Sequence, residues 1–291
     1  MIKKSGNDLI AYLDAKEAID QRSRNPQVWA SLLEQLAKRS QYASGLHLNV
    51  TEIGGGLGGL AKSLLEACTN TPLNYTLFDI DPDVVAEAEK RLDPSASTPH
   101  KVSVIEGDLL DYELNEKIAP ADLVVVQSAL DLFDLRDALP RVRAFAKPNA
   151  LLYAPVTFNG FTEFRPPYQD SQFEYRLLAE YHRSMDERTG IHPDAGGSRA
   201  GWVLERSLRR MGSDFIETNS SDWLVSSDPK DGPNRTFIEH ILRFFEGSLS
   251  TRMELDQQKL GRWLELRRRQ LADGHLLLHI HNLDLLAAFP G

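Results

Sequence analysis

The chain has 291 residues, 42% hydrophobic and 26% charged, which suits a globular protein with one large core or a core plus a modest cap. Acidic residues outnumber basic ones 42 to 33, for a formal charge of -9, and this argues against a nucleic-acid partner held mainly through phosphates. The single cysteine, Cys68, excludes an intrachain disulfide or a multi-cysteine metal site, and no apolar run has the length of a signal or a membrane span. Cytoplasmic location without a membrane partner is the resulting expectation.

The first forty-odd residues read as helices. Leu9, Tyr12 and Leu13 share helical spacing, but Lys16 and Glu17 break the apolar stripe one turn later. A second helix runs over Val28 to Ala37, with Asn25 as its cap and Pro26 as its first residue. Arg22 and Arg24 mark the break between the two helices, where either can hold a carboxylate. Residues 1–45 are therefore expected to form a helical cap.

From Leu46 to Val156 strands alternate with helices. Strands are predicted at Leu46–Ile53, Tyr75–Ile80, Val102–Ile105, Leu123–Gln127 and Leu151–Val156, and helices at Leu60–Cys68, Pro82–Leu92 and Leu132–Phe145. The strands are continuous apolar runs, as expected when both faces are covered, and the alternation predicts a doubly wound, mostly parallel α/β sheet. Ligands in such sheets bind beyond the carboxyl ends of the strands. Cys68 falls at the end of a helix in a small apolar context and reads as a buried filler.

Chemistry-bearing residues collect at those ends. Glu52-Ile53-Gly54-Gly55-Gly56-Leu57-Gly58-Gly59 turns from the first strand into a helix. Backbone without Cβ atoms lets a ligand approach the main chain and the helix N-terminus, and Glu52 places an acid beside the turn. Asp79 and Asp81 close the second strand. Asp81, directly before Pro82, suits a helix N-cap, leaving Asp79 for the paired hydroxyls of a ribose. Asp108 after the third strand suits an exocyclic amine, and Gln127 ends the fourth strand.

After Val156 the rhythm changes. Seven of the chain's 24 aromatic residues fall within 158–181, so this segment is expected to cover something apolar, as a lid over about 157–198. A helix over Arg199–Met211 and a strand over Phe215–Thr218 follow. A helical insertion over about 232–273 contains runs at Phe237–Leu249 and Leu260–Leu271, and Leu276–His281 reads as the last strand. Arg267-Arg268-Arg269 reads as a solvated helix face. His279 and His281 alternate on one strand, with no third metal ligand evident.

In order and spacing these residues resemble class I S-adenosylmethionine-dependent methyltransferases. The glycine turn after Glu52, Asp79, Gly107-Asp108, Ala121-Asp122-Leu123-Val124-Val125-Val126-Gln127 and Lys147-Pro148-Asn149-Ala150 each match a family motif over about residues 46–156. Asn149 and Ala150 replace two glycines, and Asn at the first position tolerates a left-handed backbone. The resemblance implies a seven-stranded sheet with helical N-terminal and C-terminal cap insertions, in an α/β domain spanning 46–291. It also implies S-adenosylmethionine as cofactor, held by Glu52, Gly54, Gly56, Gly58, Asp79, Ile80, Asp108, Leu109 and Gln127.

The family places acceptor-binding groups in its insertions. This nominates Tyr181 and His182 for catalysis and Arg22, Phe158, Asn159, Tyr168, Arg199 and Trp223 for the acceptor, with no metal. The fourth strand ends in Gln-Ser rather than the Asn/Asp-Pro-Pro-Tyr of amino-methyltransferases, and with the net acidity this favours a small-molecule acceptor over nucleic acid. Oligomeric state is not readable. A competing reading is an NAD(P)-dependent oxidoreductase, because Gly54-x-Gly56-x-x-Gly59 also fits the dinucleotide fingerprint and Asp79 lies 20 residues after Gly59. A silent S-adenosylmethionine-binding regulator is the third.

Overall fold

The structure is a computed structural model and describes residues 6–42, 47–92 and 98–291. The expected strand start at Leu46 and the expected boundary at 45/46 lie outside the described residues. The chain runs α1 (Gly6–Ser23), α2 (Pro26–Tyr42), β1 (Leu48–Ile53), α3 (Gly59–Ala67), β2 (Leu73–Asp79), α4 (Pro82–Leu92), β3 (Lys101–Glu106) and α5 (Leu114–Lys117). It continues through β4 (Ala121–Val125), α6 (Leu135–Ala144), β5 (Ala146–Arg165), α7 (Ser171–Thr189), α8 (Ala200–Arg210) and β6 (Asp214–Ser220). It closes with β7 (Trp223–Ser226), α9 (Gly232–Leu249), α10 (Gln257–Ala272) and β8 (Leu277–Ala288).

Local chemistry sets many of these boundaries. The Asn25 side chain accepts the Gln27 and Val28 N–H groups and starts α2 at Pro26. Asp81 does the same for Asp83 and Val84 at the start of α4. Asp170, Asp231 and Asp256 cap α7, α9 and α10. Asn149 takes the left-handed angle its turn requires, with φ 59°.

The sheet order is β3-β2-β1-β4-β5-β8-β6. The first five strands are parallel, β8 runs antiparallel between β5 and β6, and β7 joins the first half of β8 as an eighth strand. The expectation of seven strands missed β7, whose four residues alternate buried and exposed and give too short a run to stand out. One sheet face is covered by α2 and α3 through Val28, Leu32, Leu36, Leu60 and Leu64. The other is covered by α6 and α8 through Leu139, Val142, Val203 and Leu204.

The expected lid is no flap. β5 is 20 residues long and stays paired to β8 from Leu151↔Ala288 out to Arg165↔Leu277, well past the last β4 partner at Tyr153. This ribbon, with β7, carries a third core in which Phe158, Phe164, Phe173, Phe237, Phe245 and Trp263 join residues of α1, α7, α9 and α10. Of the seven aromatics in 158–181, three lie on β5, three on α7 and Tyr168 between them, and all but the exposed Phe161 and Tyr175 join a sheet-backed helical subdomain at the carboxyl end of the sheet.

Within it, the arginine run departs from expectation. Arg267 is 0% exposed, pairs with Glu174, and donates to the Pro166 carbonyl at 2.7 Å. Glu174 also accepts the Trp263 indole N–H at 2.8 Å. Only a residue on the inner side of α10 could be so placed, and one position in three of a charge run turns inward. Arg268 pairs with Glu246 on the outside.

Candidate functional site

The turn after β1 is built of left-handed backbone: φ is 62° at Gly54, 55° at Gly56 and 85° at Gly58, angles that L side chains rarely adopt. Asp79 at the end of β2 ties this turn down, its Oδ2 accepting the Gly56 N–H and its Oδ1 the Asp81 N–H, both at 3.1 Å. Burial raises the Asp79 carboxyl above its usual range. Beside it Ile80 is 64% exposed, and Leu110 beyond β3 is 45% exposed. Asp108 folds one oxygen onto the Leu110 N–H at 2.9 Å. An expectation is corrected here. Leu109 is buried in the core under α6, and it is the neighbouring Leu110 that faces outward.

Glu52 does not lie open beside the turn as expected. It is 1% exposed beneath the turn, on the same sheet face as Val50, and it accepts the Tyr75 hydroxyl at 2.8 Å. Burial pushes its pKa up to about 8, against the opposing pull of the Tyr75 hydrogen bond and the Arg24 charge.

Helix α1 roofs this end of the sheet, and its pattern explains the broken apolar stripe. Leu13 and Glu17 lie against the glycine turn. A Cβ at Gly56 would come 3.8 Å from Leu13, and one at Gly59 would clash with Glu17 at 2.3 Å. The adjacent stripe, Tyr12, Lys16, Asp20 and Arg24, repeats every fourth residue and so shares one helix face. Asp20 is buried at its centre. It accepts the Gln127 amide at 3.0 Å, the Trp223 indole N–H at 2.9 Å, and the Lys16 ammonium. Burial raises its pKa, although the Lys16 and Trp223 contacts oppose the rise.

Two polar atoms in this knot are buried without a hydrogen-bond partner among the described residues: Nη1 of Arg24, a donor, and Oε1 of Gln127, an acceptor. Arg24 is otherwise held by the Ser63 hydroxyl at 2.9 Å and lies over the Trp29 ring. Such atoms cost about 1–3 kcal/mol each when nothing meets them.

The strand ends behind the knot are strained. Ser128 after β4 has φ 49° and Val156 in β5 has φ 54°, the latter an outlier for a β-branched residue. Asp284 of β8, fully buried, holds the Val156 N–H and the Asn25 N–H, both at 2.8 Å, and so pins the α1–α2 break to the sheet. Burial raises the Asp284 carboxyl.

Several expected acceptor residues lie elsewhere. Arg22 is exposed and bonds Asn234 of α9 at 2.6 Å. Asn159 accepts the Trp202 N–H at 2.9 Å and so holds the start of α8. Phe158 and Tyr168 are buried in the third core. Arg199 is exposed at the foot of α8, bordering a cavity of about 190 Å³ beside His192 and the end of α7. For Phe158 and Asn159 the side chain's direction follows from β5 continuing as a strand to Arg165. Trp223 meets the α1 stripe through its indole N–H, which Asp20 accepts. Tyr181 stacks on Phe245 at 3.7 Å, and burial pushes its hydroxyl up to about 12. His182 turns to the Thr162 hydroxyl at 3.2 Å and the Phe158 ring, and burial lowers its pKa. His279 and His281 share Asp222, each at 2.7 Å. Among the described residues no group of three His, Cys, Asp or Glu side chains is placed to hold a metal ion.

A parallel sheet closed by an antiparallel strand between β5 and β6, with a glycine turn and acids at successive strand ends, defines a class I S-adenosylmethionine-dependent methyltransferase domain. The dinucleotide alternative fails on topology, because its sheet order lacks the inserted antiparallel strand. Residues 51–152 match the family described as a methyltransferase domain.

Two solved structures share the fold. YjhP of E. coli is 12% identical with TM-score 0.51, covering 96% of this chain and 99% of its own. A protein of Bacillus halodurans C-125 assigned as a methyltransferase is 14% identical with TM-score 0.50, covering 89% and 99%. Among curated proteins the chain is 29% identical over 133 residues to the non-reducing polyketide synthase sor2 of Hypocrea jecorina. That match covers 43% of this chain and 5% of the synthase, so the chain spans a small part of that protein's length.

Proposed function

We propose that this protein transfers the methyl group of S-adenosylmethionine to a small-molecule acceptor enclosed between the sheet end and the helical cap. The observation that carries the reading is the pair of unmet buried atoms, Arg24 Nη1 on the α1 stripe that carries Asp20 and Oε1 of Gln127, whose amide donates to Asp20. A donor and an acceptor set apart in this way suit the carboxylate and ammonium of a methionyl group. Asp79 suits the ribose hydroxyls, Asp108 the exocyclic amine, and Ile80 and Leu110 the two faces of a flat base.

When bound, the cofactor supplies an electrophilic methyl group on a cationic sulfur. The chain's part is to align the acceptor with that methyl and to exclude water, which α1 and the third core do by covering the ends of β1, β4 and β5. A small acceptor is supported by the closed cap, the charge of -9, and a relative named as a polyketide synthase. No helix among the described residues is long and apolar enough to cross a membrane.

Calorimetry with S-adenosylhomocysteine and with NADH tests the first half of this reading: uptake of the former and none of the latter is expected, and the reverse would overturn it. Methyl transfer to a panel of small acceptors tests the second half. Binding with no turnover on any acceptor would leave a silent cofactor-binding protein in its place.

A further inference from the structure

Arg24 and Gln127, which carry the two unmet atoms, lie on one closed circuit that runs from α1 through β8 and β5 to the end of β4 and back. The Arg24 N–H donates to the Asp20 carbonyl at 3.0 Å, one turn earlier in the helix. The next N–H, of Asn25, goes to Oδ2 of Asp284 on β8, and Oδ1 of Asp284 takes the Val156 N–H of β5, both at 2.8 Å. The Val156 carbonyl accepts the Ser128 hydroxyl at 3.1 Å. Ser128 follows Gln127, whose amide closes the circuit on the Asp20 carboxylate at 3.0 Å. A side branch leads to the same place. The Arg24 guanidinium lies 4.7 Å from the centre of the Trp29 ring, Trp29 packs on Tyr153, and the Tyr153 hydroxyl reaches Asp284 at 3.5 Å.

Asp284 is where the helical cap and the sheet meet in this circuit. The β5–β8 register jumps from Ala154↔Leu285 to Thr157↔Leu283, so Pro155 and Val156 together oppose Asp284 in a bulge. At the bulge the Val156 N–H is met by a side chain in place of the strand ladder. Val156 and Ser128 both stand in the left-handed region, at φ 54° and 49°, and such backbone persists only where its surroundings fix it. A carboxylate only accepts, so its two oxygens hold one N–H from the cap and one from the sheet at once. Resting on the function proposed above, we propose that Asp284 is a positioning residue for the methyl donor, setting the separation of Arg24 and Gln127 that grips the amino-acid end of S-adenosylmethionine. It acts through those two residues. Asp79 and Asp108, assigned to the ribose and the base, stand at the end of β2 and beyond β3, outside the circuit. The two ends of the cofactor therefore depend on Asp284 unequally.

The test titrates the whole chain with S-adenosylhomocysteine and with 5′-methylthioadenosine, which carries the nucleoside and the sulfur but no amino-acid end. Asp284→Asn keeps the side chain's shape and turns an NH2 group towards one of the two N–H donors. It should weaken S-adenosylhomocysteine about tenfold to a hundredfold and leave 5′-methylthioadenosine within about threefold. Ser128→Ala, which opens the circuit on the sheet side at a half-buried position, should move the two ligands the same way by less, and it decides the matter if Asp284→Asn does not fold. Added to Arg24→Met, Asp284→Asn should cost S-adenosylhomocysteine less than it does in the parent. Equal losses for the two ligands, no loss for either, or full additivity with Arg24→Met would make Asp284 a residue of the fold alone and overturn the proposal. A parent that takes up neither ligand would instead refute the function beneath it.

Discussion

Replacing Glu52 by Gln should change how stability depends on pH in a defined direction. Glu52 is sealed beneath the glycine turn, and burial raises its pKa from 4.5 to about 8. Between those values the folded chain keeps a proton that the unfolded chain has lost. Stability therefore falls as pH rises through this window, and the full loss is reached above the folded value. The shift corresponds to roughly 5 kcal/mol at about 1.4 kcal/mol per pH unit, a large share of a domain's net stability. Gln fills the same space and still accepts the Tyr75 hydroxyl, but it does not titrate. Urea melts of parent and variant between about pH 5 and pH 8.5 should converge at the acid end and diverge at the basic end, with the variant the more stable. Parallel curves would refute the reasoning. A cation bound above Glu52 should favour its charged form, so uptake of S-adenosylmethionine near neutrality should release a proton, measurable as calorimetric heat that varies with the buffer's own ionisation heat.

Other substitutions test the remaining parts. Arg24→Met should weaken S-adenosylhomocysteine binding about tenfold to a hundredfold, the equivalent of one charged hydrogen bond, and calorimetry showing the parent's affinity would remove Arg24 from the site. Gly58→Ala forces a Cβ onto a backbone with φ 85° and to within 2.9 Å of Leu92, so a loss of about 1–3 kcal/mol is expected in thermal melts, along with the cofactor heat. Arg267→Met leaves Glu174 buried without its partner and should cost about 3–5 kcal/mol. Adding Glu174→Gln should recover much of that, and a double variant as unstable as the single would contradict the pairing argument. His182→Ala should keep turnover within about twofold, since its ring nitrogen is engaged with Thr162; a hundredfold loss would return His182 to the reaction.

The glycine turn and the acids at the strand ends were readable because they are written in contiguous stretches. A left-handed turn needs glycine at particular positions, a helix beginning at Pro82 needs Asp81, and that leaves Asp79 with only one place to go. The polar knot around Asp20 was not readable, because its members come from α1, the end of β4 and β7, which no local pattern joins. Lys16 and Glu17 looked like faults in an amphipathic helix, and the four-residue repeat of Tyr12, Lys16, Asp20 and Arg24 was the one signal that they were not. The direction of Asn159 was not legible because β5 runs on for nine residues past Val156, paired to β8 through two register shifts that the apolar pattern does not mark.

By itself, then, the amino-acid order settled the alternation of strands and helices, the glycine turn and the acids at successive strand ends, since each depends on steric and capping rules acting over a few residues. Only the folded chain decided that Arg24 turns to Ser63 and Trp29 while Arg22 bonds Asn234, that Arg267 is buried, and that Glu52 lies under the turn rather than beside it. The direction and protonation of a charged side chain are set by what surrounds it on every side, and for these residues those surroundings come from segments as much as two hundred residues away.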